Sequence, residues 1–435
     1  MSFVGIGDRG SGLKRVLLLA TTTGYQIRSF GEAAEALGIG LVFASDRCDQ
    51  LEDPWWDQAI PIRFHDEAAS VRAIVEAFGA NPPDGILAVG DRPVILAARL
   101  NDAFRLPGNP VSAALASRNK LESRLALKAA HLAVPWFHPL SLDADPLNPL
   151  FTVAYPAVIK PLAMSGSRGV IRVNTPDEFV SAFERLRALL AQPDVRVERD
   201  AAHDTLLVES FIPGREFAVE GVMTAGTLRV FAIFDKPDPL DGPFFEETIY
   251  VTPSREHADV QHEIAAAVAS SASALGLCHG PVHAECRLND RGVFVLEVAA
   301  RPIGGLCSRA LAFVSEGGAR TSLEEVLLRH AIGEDVARYS REPEASGVMM
   351  IPIPHRGIYK GVEGEDAAGR VAHVTDVRIT AKLDARLVPL PEGRSYLGFI
   401  FARAANPFEV ERALRVAHTQ LRFVINKDFL VTDRA

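Results

Sequence analysis

A lysine placed directly before a glycine- and serine-rich stretch is the sharpest chemical signal in the sequence. Lys160 ends an apolar run, and Ser165, Gly166, Ser167 and Gly169 follow it. A lysine at the end of a buried strand holds its ammonium group at a fixed place, and the N–H groups and hydroxyls of such a loop bind phosphate oxygens. Taken alone, the pattern fits a phosphate site and a plain glycine-rich hairpin equally well.

Two glutamates lie on neighbouring predicted strands that are joined by a short turn. Strand alternation puts His283, Glu285 and Arg287 on one face, and Glu297 and Arg301 on one face of the facing segment. Carboxylates among apolar residues are unfavourable unless they are neutralised. Mg²⁺ is a suitable partner because it binds few protein carboxylates and leaves positions for substrate phosphates. The alternative is a structural network of ion pairs with the two arginines.

A third group of polar residues surrounds a predicted turn. A strand is predicted to end at Glu209, and the next begins near Glu216 after the turn at Pro213 and Gly214. Such an edge can bind a purine through backbone groups, while a carboxylate accepts hydrogen bonds from ribose hydroxyls. By itself the pattern also fits an acidic hairpin.

The segments that must position these groups fall into two kinds. Apolar strands at 15–20, 40–44 and 85–89 alternate with helical segments, which predicts an open, doubly wound α/β domain. From residue 156 onward, strands occur in hairpins and helices are set apart, which predicts an α+β arrangement. The segment 408–424 is predicted to be a closing helix.

One further helix is predicted between these two regions. It covers 117–130, with Lys120 in its first turn. Leu121, Leu125 and Ala129 recur at helical spacing and therefore share one apolar face.

In chain order these groups resemble the ATP-grasp superfamily over almost the whole sequence. The resemblance rests on Lys120, on Lys160 with the loop 162–169 (the Gly/Ser loop), and on the two pairs of glutamates that follow. Within the superfamily the chain is most similar to the L-amino-acid ligases, which make dipeptides, and to related carboxylate–amine ligases. Three stretches carry this narrower resemblance: KPDPLDGPFFEE at 236–247, GPVHAE at 280–285 and EVAARPIGG at 297–305.

The resemblance implies an ATP-grasp fold of the α/β and α+β multidomain class. It combines an N-terminal doubly wound α/β domain, a lid subdomain that carries the Gly/Ser loop, and a central antiparallel sheet. The predicted divisions are a Rossmann-like N-terminal domain at 1–115, a linker helix and connection at 116–150, the ATP-grasp lid at 151–220, the ATP-grasp core at 221–344 and a small C-terminal α+β subdomain at 345–435.

The resemblance also implies roles for particular residues. Arg301 would be the catalytic residue, since a fixed guanidinium stabilises a transferring phosphoryl group and then an oxyanion. Glu285 and Glu297 would bind Mg²⁺ or Mn²⁺ ions that bridge the phosphates of ATP. ATP itself would be bound by Lys120, Lys160, Ser165, Gly166, Ser167 and Gly169, with Glu209, Ser210, Phe211 and Ile212 at the adenine and Glu216 at the ribose. The substrates would be bound by Glu247, His283, Arg301, Gly304 and Gly305.

One residue departs from the pattern of the family. The position two residues after the second metal-binding glutamate is commonly Asn, a third metal ligand, but here it is Ala299. A methyl group cannot coordinate a metal, so water completes the shell, or the second ion binds weakly, or activity is lost. The paired lysines, the paired glutamates and Arg301 argue against loss of activity.

The implied reaction is ATP-dependent amide formation through an acyl phosphate, with release of ADP and phosphate. Most of the protein's task is then positioning and charge neutralisation in a closed site. The expected substrates are an amino acid or similar carboxylate and a second amine. The alternatives are a biotin-carboxylase-like or purine-pathway ATP-grasp ligase, although no Met-Lys-Met carrier motif occurs, and a non-catalytic ATP-binding protein, which Ala299 favours.

Composition narrows the class of protein further. The 435 residues include 46 Lys and Arg against 55 Asp and Glu, a net charge of −9, without a basic cluster, which argues against nucleic acid and anionic membranes as partners. The four cysteines form no CxxC spacing, and no apolar stretch is long enough to span a membrane. A cytoplasmic location is therefore expected. A homodimer is the default, because small symmetric oligomers are common.

Overall fold

The structure, a computed structural model, describes residues 12–21, 26–46, 59–146, 152–315 and 317–427. Within these ranges a parallel α/β sheet, an antiparallel lid sheet and a large central antiparallel sheet succeed one another along the chain. The predicted fold class is confirmed.

The N-terminal domain is a parallel sheet covered by helices. Its elements are β1 (Arg15–Ala20), α1 (Ile27–Leu37), β2 (Gly40–Ser45), β3 (Ile60–Pro61), α2 (Glu67–Phe78), β4 (Gly85–Val89) and α3 (Pro93–Phe104). The strand order is β3-β2-β1-β4, and β1 pairs in parallel with β2 and β4. Every residue of β1, β2 and β4 is buried, as expected for a parallel sheet with helices on both faces. The three strands predicted for this domain are confirmed.

Two short helices lead from this domain to the lid. They are α4 (Val111–Arg118) and α5 (Lys120–Ala129). The helix predicted over 117–130 corresponds to α5, with Lys120 in its first turn, but it begins at Lys120 because Asn119 is extended and its side chain caps α5 by accepting hydrogen bonds from two N–H groups of the first turn. The apolar face predicted for this helix does not pack on the core: Leu125 is 47% exposed, whereas Arg124 is 1% exposed. The inner face of α5 carries cations because it lies against carboxylates of the site described below.

The lid is an antiparallel sheet with one long helix packed on it. Its elements are β5 (Phe137–Ser141), β6 (Ala157–Pro161), β7 (Ile171–Val173), α6 (Pro176–Leu190), α7 (Pro193–Arg196) and β8 (Thr205–Ser210). The strand order is β5-β8-β6-β7. Phe183 and Leu186 of α6 are fully buried in an apolar core that the lid forms with its own residues. The Gly/Ser loop joins β6 to β7, so both of its ends are held by strands of one sheet.

An eight-stranded antiparallel sheet forms the centre of the molecule. The first half of its region contains β9 (Arg215–Thr224), β10 (Thr227–Lys236), β11 (Ile249–Thr252), α8 (Ala258–Ala274), β12 (Gly280–Asn289), β13 (Gly292–Ala299), β14 (Ala312–Val314), β15 (Arg320–Ser322), α9 (Leu323–Ala331) and β16 (Ser340–Arg341). The second half contains β17 (Ala345–Ile351), β18 (Gly357–Glu363), α10 (Glu365–Gly369), β19 (Val374–Ile379), β20 (Arg386–Leu387), β21 (Gly398–Ala404), α11 (Pro407–Thr419) and β22 (Arg422–Asn426). The strand order of the sheet is β13-β12-β9-β10-β11-β17-β21-β19.

The end of the chain differs from the prediction. The helix predicted over 408–424 ends at Thr419, and β22 follows it and pairs antiparallel with β18. The residues of β22 include Phe423 and Ile425, which favour a strand once an edge is available. That edge is supplied by β18, which lies far away in the sequence. The local pattern alone therefore predicted a helix that is too long.

Two of the predicted divisions cut through the central sheet. The division at 220 falls inside β9, and the division at 344 separates β11 from its paired neighbour β17. In addition, β5 pairs with β8 of the lid although it lies in the segment predicted as a connection. The divisions stay a prediction about the chain, and the hydrogen-bonded sheets extend across them.

In the part of the chain that the structure describes, no helix is both long enough and apolar enough to cross a bilayer. Cys278, Cys286 and Cys307 are free thiols, and Cys48 lies outside the described residues. The cytoplasmic location and the homodimer stay predictions.

Candidate active site

A cleft of about 330 Å³ is lined by residues of the N-terminal domain, the lid and the central sheet. Its wall contains every site residue predicted from the sequence except Gly169, namely Lys120, Lys160, Ser165, Gly166, Ser167, Glu209, Ser210, Phe211, Ile212, Glu216, Glu247, His283, Glu285, Glu297, Arg301, Gly304 and Gly305. Residues that are far apart in sequence and able to do chemistry therefore meet in one place.

Lys160 is held in the cleft wall by buried ion pairs. Its ammonium group, at the end of β6, pairs with the carboxylate of Glu209 on the neighbouring strand β8. Arg124 of α5 binds the same carboxylate through Nε at 2.9 Å and Nη2 at 3.3 Å. Burial raises the pKa of Glu209, but the two cations outweigh it and lower that pKa to about 2, while burial lowers the pKa of Lys160 to about 8. Glu209 is thus a stable anion that fixes two cations.

Lys120 reaches from the start of α5 toward β13. Its Nζ donates a hydrogen bond to the carbonyl oxygen of Met164 at 2.7 Å and lies 3.2 Å from Oε2 of Glu297. Its backbone N–H donates to the carbonyl oxygen of Leu162 at 2.9 Å. Lys120 therefore joins α5, the Gly/Ser loop and β13, with its charge between the loop and Glu297.

The Gly/Ser loop has a tightly turned backbone. Gly166, Ser167 and Gly169 have positive φ angles of 63°, 55° and 76°. A Cβ on Gly169 would lie 2.8 Å from the ring of Pro161, so only glycine fits there. The N–H of Gly169 donates to the carbonyl oxygen of Pro391 at 2.8 Å. Gly169 therefore shapes the loop; it lies outside the cleft wall, and its predicted contact with phosphate stays a prediction.

A small apolar cluster lines the cleft beside Lys160. Val158 and Phe245 are buried in it, and Phe211 packs against them. The rings of Phe211 and Phe245 stack with their centroids 6.3 Å apart. Apolar walls of this kind suit a flat aromatic group, in the segment that was predicted to meet adenine.

Glu285 and Glu297 lie directly opposite each other on the antiparallel strands β12 and β13. Their side chains are 22% and 26% exposed, and both line the cleft. Ala299 shares the face of Glu297 by strand alternation and lies opposite His283. The two glutamates therefore present their oxygens side by side, and Ala299 adds none.

Lys236, the last residue of β10, lies at the centre of three carboxylates. Its Nζ contacts one Oε1 atom of each glutamate, at 2.8 Å for Glu216, 2.5 Å for Glu247 and 3.0 Å for Glu285. Burial lowers the pKa of Lys236, but the carboxylates raise it well above its usual range, whereas burial and Glu285 raise the pKa of Glu247 to about 8. Glu216, predicted at the ribose, also accepts a hydrogen bond from Nε of Arg287 at 2.8 Å. One ammonium group thus compensates a cluster that would otherwise repel itself.

The carboxylates of the cleft fit a hard divalent cation. Oxygens of Glu216, Glu247 and Glu285 lie within 4.8 Å of one another, and Glu297 faces Glu285 across the strand pair. An all-oxygen donor set next to a space for phosphate oxygens suits Mg²⁺ or Mn²⁺. A bound cation would share or replace the contacts that lysines now make with these groups.

Arg301 follows β13 and is held by Asp91, which follows β4 of the N-terminal domain. The pair is bidentate, with Nε 2.9 Å from Oδ1 and Nη2 3.3 Å from Oδ2. Burial raises the pKa of Asp91, but the charge of Arg301 outweighs it and lowers that pKa below its usual range. A second contact, from Nη1 to the carbonyl oxygen of Pro302 at 3.0 Å, fixes the guanidinium plane.

His283 is paired with Glu220, its direct neighbour on β9. Nδ1 of His283 lies 3.1 Å from Oε2 of Glu220, and Nε2 lies 3.9 Å from Oε1 of Glu285. Burial lowers the pKa of His283, but the carboxylates of Glu220 and Glu285 outweigh it and raise that pKa to about 9. His283 therefore enters the cleft as a cation.

Several residues that line the cleft or hold its side chains in place were not identified from the sequence: Gln26, Asp91, Arg124, Glu220 and Lys236. Asp91 carried a signal, because it follows the carboxyl end of a parallel strand, the edge at which such sheets bind ligands. Lys236 carried one too, since it lies at the end of a strand, and Lys160 lies next to the end of another. Arg124 and Glu220 carried none, because their partners lie on elements that only the tertiary fold brings near.

Three parts of the chain match models of known families. Residues 31–108 match the ATP-grasp N-terminal domain, residues 153–310 match the ATP-grasp domain, and residues 349–426 match the L-amino acid ligase C-terminal domain 2. The matches follow the chain order of the N-terminal domain, the lid with the core, and the C-terminal region.

Individual relatives give narrower similarities. The crystal structure of the L-amino acid ligase from Bacillus licheniformis has 26% identity and a TM-score of 0.80, covering 95% of this chain and 99% of that one. Dapdiamide A synthase of Enterobacter agglomerans is 29% identical over 227 residues, 51% of each protein. A D-alanine–D-alanine ligase of Aromatoleum aromaticum is 27% identical over 208 residues, 47% of this chain and 63% of that protein. The chain spans about half to two thirds of the length of the curated relatives it matches.

Proposed function

We propose that this chain, which belongs to the ATP-grasp superfamily and resembles the L-amino-acid ligases, is an ATP-dependent carboxylate–amine ligase that joins L-amino acids. The observation that carries the proposal is the convergence of Lys120 and Lys160 with Glu285 and Glu297 on one cleft. Fixed cations for a triphosphate, and carboxylates for the metal ion that accompanies it, are what phosphoryl transfer requires.

The proposed reaction has two steps. An oxygen of the substrate carboxylate attacks the γ-phosphorus of ATP, the bond from that phosphorus to the β–γ bridging oxygen breaks, and ADP leaves. The amino group of the second substrate then attacks the acyl carbon, phosphate leaves with the electrons of the broken bond, and the nitrogen loses a proton. The first step is needed because oxide is a poor leaving group and phosphate is a good one.

Lys120, Lys160 and the Gly/Ser loop would bind the triphosphate. Glu297 and Glu209 hold the two ammonium groups in place beforehand, which reduces the entropy lost when ATP binds. The loop is anchored in the lid sheet at both ends, so movement of the lid would carry it over the phosphates. Closure would exclude water, which hydrolyses acyl phosphates.

Glu285 and Glu297 would hold Mg²⁺ or Mn²⁺, which when bound neutralises charge on the phosphates. Lys236 would compensate Glu216 and Glu247 when no metal is bound, because its ammonium group contacts both. The metal ion can leave with the nucleotide, whereas the ammonium group of Lys236 stays with the protein. The two roles therefore need different cations.

Arg301 would stabilise negative charge on oxygen in both steps. Asp91 orients its guanidinium through two hydrogen bonds, and Gly304 and Gly305 line the same cleft. Backbone N–H groups beside a fixed guanidinium form a suitable site for an acyl oxygen that gains charge.

The charges of the cleft support amino acids as substrates. His283 supplies a cation that is complementary to the carboxylate of an amino acid, and Glu247, whose pKa of about 8 keeps it mostly protonated at neutral pH, supplies a carbonyl oxygen that can accept a hydrogen bond from the amino group. The relatives point the same way, because the names L-amino acid ligase and D-alanine–D-alanine ligase describe amino acids as substrates of those proteins.

Ala299 favours a second candidate function, ATP binding without catalysis. The residue is 2% exposed and offers only a methyl group where the family commonly has a metal-binding Asn. A protein that binds ATP but fails to hold the second metal ion would leave the γ-phosphate insufficiently neutralised for transfer.

The experiment that separates these functions is phosphate release from ATP and Mg²⁺ in mixtures of two amino acids, with mass detection of the condensed product. We expect ADP, phosphate and dipeptide in equal amounts, and only when both amino acids are present. ATP binding without turnover for every pair would contradict the ligase and favour the second candidate. Turnover that needs bicarbonate would favour the carboxylase alternative.

A further inference from the structure

A fully buried carboxylate connects two parts of the proposed substrate site. Glu220 on β9 is 0% exposed. Its Oε2 lies 3.1 Å from Nδ1 of His283, and its Oε1 accepts a hydrogen bond from the N–H of Ile303 at 3.2 Å. One oxygen therefore holds a side chain of the cleft, and the other holds the backbone just before Gly304 and Gly305.

Ile303 is also held from the N-terminal domain. The side-chain amide of Gln26, the residue before α1, donates to the carbonyl oxygen of Ile303. Gln26 is 4% exposed and Ile303 is 1% exposed, so both polar backbone groups of Ile303 are paired with buried side chains. The next turn is tightly packed: Gly305 has a φ of 62°, and a Cβ on it would lie 3.3 Å from the ring of Phe399.

The position of Glu220 is unusual for a carboxylate. By strand alternation it shares a face of β9 with Ala218 and Val222, which are both buried in an apolar core. A carboxylate in such a row destabilises the fold unless its hydrogen bonds compensate for the lost water. An apolar residue would pack there without that cost, which indicates that Glu220 serves a purpose other than stability.

We propose that Glu220 is a positioning residue that holds His283 and the segment 303–305 in a fixed relation, with Gln26 completing the clamp on Ile303. The proposal rests on the ligase function proposed above. Because Nδ1 of His283 faces Glu220, the other ring nitrogen is the one that faces the cleft. Because the N–H of Ile303 faces the same carboxylate, Gly304 and Gly305 are held at a fixed depth in the cleft wall.

The contacts that Glu220 and Gln26 make with His283 and Ile303 would matter most in the second step of the reaction. An acyl phosphate must be held with its carbon next to the amine, and water competes whenever that alignment fails. A loosened His283 and 303–305 segment should therefore reduce amide formation more than it reduces consumption of ATP. The binding of ATP itself should change little, since Lys120, Lys160 and the Gly/Ser loop make no contact with Glu220 in the described structure.

Glu220→Gln tests the proposal because it keeps the size of the side chain and removes one of its two acceptor oxygens. Glu324→Gln is the matched control: Glu324 is 4% exposed, and its carboxylate accepts a hydrogen bond from Ser308 outside the cleft wall. Three quantities are measured, namely the ADP formed per dipeptide, the KM for ATP, and the hydrogen–deuterium exchange of the peptide that contains 303–305.

We expect Glu220→Gln to lower kcat for the dipeptide by about 10- to 100-fold, the usual range for residues that orient others at a site. The ratio of ADP to dipeptide should rise above one, the KM for ATP should stay within about twofold, and the 303–305 peptide should exchange faster. Gln26→Met should shift the ratio and the exchange in the same direction. Glu324→Gln should behave as wild type in all three.

Wild-type ADP-to-dipeptide ratio and wild-type exchange in Glu220→Gln would overturn the proposal, as would an equal effect in Glu324→Gln. Absence of dipeptide from wild-type protein would instead overturn the ligase function, and the exchange measurement would still decide whether Glu220 holds the segment. If Glu220→Gln does not fold, Gln26→Met takes its place with the same supporting and contradicting results.

Discussion

Asp91 and Arg301 form a bidentate ion pair across 210 residues of sequence. Asp91 follows a strand of the N-terminal domain, and Arg301 follows a strand of the central sheet. Their side chains are only 18% and 10% exposed, so solvent screens the pair less than it screens a surface ion pair. The cation that we propose to stabilise the reaction is therefore oriented by a different domain.

Asp91→Asn should lower kcat by about 10- to 100-fold with little change in the KM for ATP, because an amide cannot compensate the guanidinium charge. Arg301→Ala should abolish turnover while ATP affinity is largely spared. Steady-state kinetics on both substrates measure these effects. Asp84→Asn is the control, since Asp84 pairs with Lys14 at the opposite end of β4. Equal losses in Asp84→Asn and Asp91→Asn would show that the effect is general to the domain.

Lys236→Met should lower the free energy of unfolding by about 3–5 kcal/mol, because it removes the one ammonium group that contacts all three close carboxyl groups. Mn²⁺ should restore part of this loss, since the oxygens of these groups lie within 4.8 Å of one another. Thermal unfolding with and without Mn²⁺ measures both effects. The control is Lys360→Met, which removes an exposed pair with Asp384. A metal-dependent shift no larger than that of wild type would contradict the role of Lys236.

Acid should remove stability that Glu209 contributes. Its pKa is about 2 in the folded protein and 4.5 ordinarily, so the unfolded chain binds the proton more tightly. The contribution is therefore complete above about pH 4.5 and is lost as the pH falls toward 2, and the shift corresponds to about 3 kcal/mol. The difference in unfolding free energy between wild type and Glu209→Gln should shrink across this window.

Urea unfolding at a series of pH values measures that difference. Glu122→Gln, on the exposed side of the first turn of α5, is the control and should match wild type throughout. A gap between wild type and Glu209→Gln that stays constant from neutral pH to pH 3 would show that the charge of Glu209 is not what holds Lys160 and Arg124.

Ala299→Asn should lower the concentration of Mg²⁺ needed for half-maximal turnover. Residue 299 shares the face of Glu297 and lies opposite His283, so an amide oxygen there can approach an ion between the glutamates. Metal titration of the initial rate measures the effect, and Ala299→Val separates added volume from added oxygen. An unchanged Mg²⁺ requirement in Ala299→Asn would mean that water already completes the coordination.

The sequence predicts correctly those strands and turns that are determined by neighbouring residues in the chain. The buried strand β1 is a continuous apolar run, and the β12–β13 hairpin shows alternation around turn residues. The residues singled out for chemistry reached the cleft because nearly all lie on strands or just after them. Gly169 alone among them lies outside the cleft wall, and its N–H donates to the carbonyl oxygen of Pro391, a contact 222 residues away that sequence pattern does not reveal.

Partners from distant elements explain what could not be predicted. The inner face of α5 is cationic because Glu209 and Glu297 arrive from two other sheets. β22 is a strand because β18 offers it an edge. In sequence, Glu220 is an unexplained carboxylate in an apolar strand, and its hydrogen bonds with His283 and Ile303 form only in the folded chain. Each of these depends on tertiary pairing, which overrides local propensity.

A structure with Mg²⁺ and a non-hydrolysable ATP analogue tests the central claim most directly. We predict the ammonium groups of Lys120 and Lys160 at about 3 Å from phosphate oxygens, with the metal ion bound between those phosphates and both Glu285 and Glu297. A triphosphate bound away from the two lysines, or a metal ion held by Glu216 and Glu247 without Glu297, would contradict the account.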